Sequence, residues 1–182
     1  MVHNCDTKYH TKYTTYTVER LVNKIKKFKS KIVVFTGGEP LLQVEGIKEL
    51  HKQMLEYCFQ LETNGDLINS SKYINNYFVD TFQYLSISPK ELKVAQRLKK
   101  VMTQWEKECN SYLIEYDIKV VTDLQTVNLK LIPYATSLMP LTTGDDLADI
   151  ITKRKVWNYC INNNLFYSAR LQNELWGSKK GV

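Results

Sequence analysis

Short β-branched or aromatic runs, each ending at a glycine, proline or asparagine, alternate in this chain with longer stretches whose apolar residues recur at helical spacing. That alternation restricts the fold more than any other feature, because strand, helix and strand in succession close most readily as a parallel crossover. Strands are expected at Ile32 to Phe35, Phe59 to Thr63, Tyr84 to Ser88, Tyr116 to Val121, Ala135 to Met139 and Leu165 to Ser168. The first is too brief for a helix and reads as a strand buried on both faces. One helical stripe follows Thr17, an N-cap, with Val18, Leu21, Val22, Ile25 and Phe28. Others comprise Ile47, Leu50, Met54 and Tyr57, then Leu92, Ala95, Leu98, Met102 and Trp105, and a helix from Asp145 to Asn163. The expected class is α/β with a mainly parallel sheet, as a single domain over residues 1–182 without repeat or linker.

The 25 Lys and Arg against 19 Asp and Glu leave a net charge of +6. The basic clusters Lys26 to Lys31 and Arg97 to Lys100 fall on helical stretches, where a solvated face explains them without phosphate. No aromatic platform accompanies them, so nucleic acid is not the expected partner. No apolar run approaches the roughly 20 residues of a membrane span, and the first residues lack a secretory core. A cytoplasmic protein with no membrane partner is expected. Cys5, Cys58, Cys109 and Cys160 form no CxxC pair, so reduced thiols are expected, the last three as buried structural residues on helical stripes or helix ends.

Three strand candidates end in unusual residues: Thr36-Gly37-Gly38-Glu39-Pro40, Glu62-Thr63-Asn64-Gly65 and Ser86-Ile87-Ser88-Pro89-Lys90. In a parallel sheet these ends share one mouth, where α/β folds gather ligands. Glycines leave backbone groups open, Glu39 can meet a cation, and Pro40 suits a first helical turn. A ligand ammonium held by carbonyls and a carboxylate fits this combination. Taken alone, Gly-Gly is equally at home as an ordinary α/β turn, while Asn-Gly is more often a plain turn and Ser-Pro a plain helix start.

In order, "CDTKY" at Cys5, "FTGGEPLLQ", "LETNG", "SISPK", "IKVV" at Ile118, "LMP" at Leu138 and "ARLQNELWGSKKGV" resemble the 7-carboxy-7-deazaguanine synthases of the radical S-adenosylmethionine (SAM) superfamily. The resemblance, from Cys5 to Val182, implies a partial, modified TIM-type barrel without its first strand, and a reaction that converts 6-carboxytetrahydropterin to a deazaguanine precursor of queuosine and related bases. It implies a 4Fe–4S cluster, SAM and Mg²⁺ as cofactors, an electron donor such as flavodoxin, and a homodimer. Position by position, Cys5 matches the last cluster cysteine and Thr7 a Mg²⁺ contact; Thr36 matches a substrate contact. Gly37, Gly38 and Glu39 match the SAM amino-group site, Ser88 and Lys90 further SAM contacts, and Val182 a tail closing over the pterin. The pattern departs at Val2, which stands where a second cluster cysteine is expected, and at Gln172, where relatives commonly have histidine. A start-site error, a split gene, a separate N-terminal fragment or a degenerate SAM- or pterin-binding homologue would each account for the first departure.

Overall fold

A computed structural model describes residues 13–108 and 114–176. Its elements run α1 (Val18–Ile25), β1 (Ile32–Phe35), a 3-10 turn (Pro40–Gln43), α2 (Val44–Lys52), β2 (Cys58–Thr63), α3 (Ser71–Tyr77) and β3 (Tyr84–Ile87). They continue with α4 (Leu92–Glu108), β4 (Glu115–Thr122), a second 3-10 turn (Leu129–Tyr134), β5 (Ser137–Pro140), α5 (Asp146–Asn162), β6 (Phe166–Tyr167) and α6 (Leu171–Trp176). The expected α/β class holds: six strands lie in the order β1-β2-β3-β4-β5-β6, every neighbouring pair parallel.

Strictly sequential order has a geometric consequence. Right-handed crossovers that always step in one direction place their helices on one face of the sheet. The core agrees, for Phe59, Leu61, Leu85, Ile87 and Ile118 share one side-chain parity and pack in one cluster with Val22, Ile47, Leu50, Ile74, Leu98 and Trp105 from the helices. The opposite parity carries Ile32, Val34, Gln60, Glu62, Tyr84, Ser86, Asp117, Lys119 and Ser137. This second face is largely polar, as expected of a surface that meets water or a ligand.

Two expectations need correction. Ile32 is 54% and Val34 47% exposed, so β1 is not buried on both faces. It is the edge strand, and only Val33 and Phe35 turn toward the helices. Cys58 lies on neither a helix nor a helix end; it opens β2 and is half-buried. Thr17 caps α1 as expected, its hydroxyl accepting from Arg20 N at 3.3 Å.

Candidate functional site

The parallel register brings the three unusual strand ends together. Phe35 pairs with Leu61 and Thr63 with Ile87, so Thr36–Glu39, Thr63–Gly65 and Ser88–Lys90 leave the sheet at the same end. Hydrogen bonds tie them. The Thr36 hydroxyl donates to Glu62 Oε2 at 2.9 Å, and Ser88 N donates to the Thr63 carbonyl at 2.7 Å. Ser88 Oγ in turn donates to the Lys119 carbonyl at 3.2 Å, linking the mouth to β4.

Glu39 is the hub of this end. Its Oε1 accepts from the Thr63 hydroxyl at 2.7 Å and from Leu41 N at 3.1 Å, while Oε2 accepts from Asn64 N at 2.9 Å. The carboxylate therefore caps the Pro40–Gln43 turn, whose Pro40 occupies the first turn as its sequence position predicts, and joins the ends of β1 and β2. No described lysine or arginine forms an ion pair with it. Gly37 and Gly38 sit beside it at φ +77 and +38, exposed, and a Cβ added at either would meet nothing within 4 Å among the described residues. Their missing side chains are required by backbone conformation rather than by crowding. Open space above two glycines, next to a fixed carboxylate, suits a cationic group approaching the backbone.

Below the mouth, Glu62, Ser86 and Asp117 stand in one registered row on the polar face. Asp117 accepts from the hydroxyls of Thr136 and Ser137, the latter at 2.6 Å. The Tyr84 phenol is pushed above its usual pKa first by burial and then by Asp117, Glu115 and Glu62, which reports an electronegative surface. Among the described strands the polar face carries one cation, Lys119, paired in register with Ser137. A cavity of about 680 Å³ lies toward the start of β3, β4 and β6, lined among others by Tyr84, Glu115, Asp117, Ser137 and Phe166. None of the described site residues expected from sequence lines it.

Thr36, Gly37, Gly38, Glu39, Ser88 and the exposed Lys90 thus meet at one end of the sheet, while Cys5, Thr7 and Val182 lie outside the described residues. Sequence reasoning assigned no role to Thr63 or Asn64 toward Glu39, nor a place on the polar face to Lys119. Strand parity was the available signal for Lys119, two residues from Asp117. No helix among the described residues is long and apolar enough to cross a membrane.

The family described as 4Fe-4S single cluster domain matches residues 2–114, from before Cys5 to the start of β4. The 7-carboxy-7-deazaguanine synthase of Hyperthermus butylicus is 34% identical over 111 residues, covering 56% of this chain and 43% of the relative. That of Haemophilus influenzae is 28% identical over 121 residues, 65% of this chain and 47% of the relative. The matched stretch spans about half the length of these curated relatives. With the family match extending over more than half of its residues, the chain belongs to the 4Fe-4S single cluster domain family and is similar, over part of its length, to 7-carboxy-7-deazaguanine synthases.

Proposed function

We propose that this chain carries the SAM-binding mouth of a radical SAM enzyme of the 7-carboxy-7-deazaguanine synthase type, acting as one domain on 6-carboxytetrahydropterin. The supporting observation is the juxtaposition of two open glycines at positive φ with Glu39, held by Thr63, Leu41 and Asn64. A carboxylate offers about four lone-pair directions, so three accepted bonds leave one for a ligand ammonium. In this reading the carbonyls of Gly37 and Gly38 take its other protons, while Ser88 and Lys90 hold polar groups of the same ligand. Thr36, oriented by Glu62, reaches the pterin. The protein's part is to bind and orient, with Glu39, Gly37 and Gly38 placed to hold SAM; the bound cofactors would supply the radical chemistry.

The described residues do not themselves fit a cluster. No group of three His, Cys, Asp or Glu among them could hold a metal. Cys58 opens β2, at the far end of the sheet from Glu39, and Cys160 is buried in α5 with Sγ donating to the Phe166 carbonyl at 3.4 Å. Burial pushes the Cys160 thiol up, away from the thiolate a cluster requires. Cys109 lies outside the described residues, and we assign one cluster thiolate to Cys5 and, as the resemblance implies, the others to a preceding segment, in a longer chain or a separate fragment. Mg²⁺ at Thr7, the Val182 tail over the pterin, an electron donor such as flavodoxin, and a homodimer belong to the same proposal. So does the reading of the sequential sheet as part of a modified TIM-type barrel, whose inner wall is the polar face.

The test is anaerobic reconstitution with iron and sulfide of the chain joined to its upstream coding segment. Conversion of 6-carboxytetrahydropterin to 7-carboxy-7-deazaguanine is expected. A fully loaded cluster that leaves SAM uncleaved would refute the reading.

A further inference from the structure

Two of the three bonds that hold Glu39 come from the end of β2 and the turn after it, the Thr63 hydroxyl and Asn64 N, so the fixing of that turn bears on the site. Gly65, at φ +77, is seated from below, since its Cα lies so close to the buried Ile87 and Leu98 side chains that an added Cβ would stand 2.8 Å from each. From α4, the neighbouring Arg97 reaches over the same turn. Its Nε donates to the Ile68 carbonyl at 3.1 Å, and Nη2 donates to the carbonyls of Gly65 at 3.1 Å and Asp66 at 2.8 Å. Inside the turn, Gly65 N donates to the Thr63 hydroxyl at 3.1 Å, and that hydroxyl donates onward to Glu39. Asp66 N donates to Asn64 Oδ1 at 2.8 Å.

We propose that Arg97 is a positioning residue of the Glu39 site: its planar fork fixes three carbonyls of the Gly65–Ile68 turn, and so aims Asn64 N and the Thr63 hydroxyl at the Glu39 carboxylate. The choice of residue follows from geometry. A guanidinium presents donors in a rigid plane, so one side chain bridges separated carbonyls, whereas an ammonium is a compact charge without that span. Arg97 has no described carboxylate partner, and three of its five donors are used on backbone oxygens. In the sequence it sits within the "RLKK" cluster, where a solvated basic face was the plain explanation. The structure separates Arg97 from that cluster and turns it to the site.

The inference rests on the SAM reading, and its experiment separates the two. Arg97→Lys, Arg97→Met, Glu39→Gln and the Arg97→Lys/Glu39→Gln double variant are compared with the parent by the Asn64 amide proton in ¹H–¹⁵N spectra and by SAM affinity in calorimetry. Arg97→Lys retains charge and volume and serves if Arg97→Met does not fold, with far-UV circular dichroism confirming the fold. The expected result is an Asn64 amide proton shifted to the same upfield side in Arg97→Lys and Glu39→Gln, with SAM binding weakened about tenfold by Arg97→Lys. The double variant is expected to bind no more weakly than Glu39→Gln alone, because both act through one carboxylate. An Asn64 amide unmoved by Arg97→Lys, or effects on affinity that multiply in the double variant, would overturn the proposal. If Glu39→Gln leaves SAM affinity unchanged, the SAM reading fails, and the amide shift alone decides whether Arg97 positions Glu39.

Discussion

Gly65→Ala isolates one packing relation at the candidate site. The glycine has φ +77, and the added Cβ would lie 2.8 Å from Ile87 Cγ2, 2.8 Å from Leu98 Cδ1 and 3.2 Å from Leu98 Cδ2. Both neighbours are fully buried, so neither can swing into solvent. A left-handed conformation costs an alanine about 1–2 kcal/mol. Forcing a methyl into a close-packed core costs about 1–3 kcal/mol more. The predicted destabilisation is therefore about 2–5 kcal/mol, or roughly 5–15 °C in Tm for a domain of this size. Gly37→Ala is the control, because it shares φ +77 but its Cβ meets nothing within 4 Å among the described residues. It should cost only the conformational part, about 1–2 kcal/mol. Urea unfolding followed by far-UV circular dichroism measures both. A Gly65→Ala variant within about 0.5 kcal/mol of the parent, or equal to Gly37→Ala, would refute the argument that Gly65 is crowded where Gly37 is open.

Further predictions concern the frame around the site. Asp149 is buried, 8% exposed, and burial works to raise its pKa, but hydrogen bonds from Thr143 N at 2.7 Å, Gly144 N at 3.2 Å and the Thr143 hydroxyl hold it below the usual carboxylate range. Asp149→Ala should cost about 1–3 kcal/mol in urea unfolding at neutral pH. Because the folded pKa is depressed, the stabilisation is present above the unfolded carboxylate pKa and is lost as pH falls through the folded value; Asp149→Asn should accordingly unfold with a shallower acid limb. His51 is lowered by burial, against a smaller opposing effect of Asp80. Its neutral form is favoured in the fold, so stability is fully present above the unfolded pKa near 6.5 and declines as pH falls toward the lower folded value. A His51→Gln variant whose Tm varies with pH between 5 and 7 just as the parent's does would contradict this. Trp105 is fully buried and donates Nε1 to Asn75 Oδ1 at 2.9 Å, so Trp105→Ala should cost about 3–5 kcal/mol, measured by the same unfolding curves.

The strands were legible because short apolar runs stop at residues that cannot continue them, and all six expected strands are present with small shifts of their ends. What a run cannot reveal is its place in the sheet. "IVVF" reads the same in a central and an edge strand, and only the tertiary order exposes Ile32 and Val34. Helix α3 escaped notice for a local reason. "SKYINNY" is rich in Asn and Tyr, weak helix formers, and buries Ile74 alone, although Ser70 accepting from Tyr73 N marks its start. At the site, the glycines, Glu39 and Ser88 were recognisable from strand ends and resemblance. The three bonds that hold Glu39 were not, since two of them come from residues 24 and 25 positions away, brought near only by pairing of β1 with β2.

One binding measurement tests the assignment of Gly37, Gly38 and Glu39 most directly. Calorimetry should compare SAM with its analogue lacking the amino group, against the parent chain and Glu39→Gln. A charge-assisted hydrogen bond contributes about 1.5–3 kcal/mol, so removing the amino group should weaken binding by about 10-fold to 150-fold. In Glu39→Gln the two ligands should bind more nearly alike. Equal affinity of the parent for SAM and for the analogue would contradict the assignment of Gly37, Gly38 and Glu39 to the ammonium.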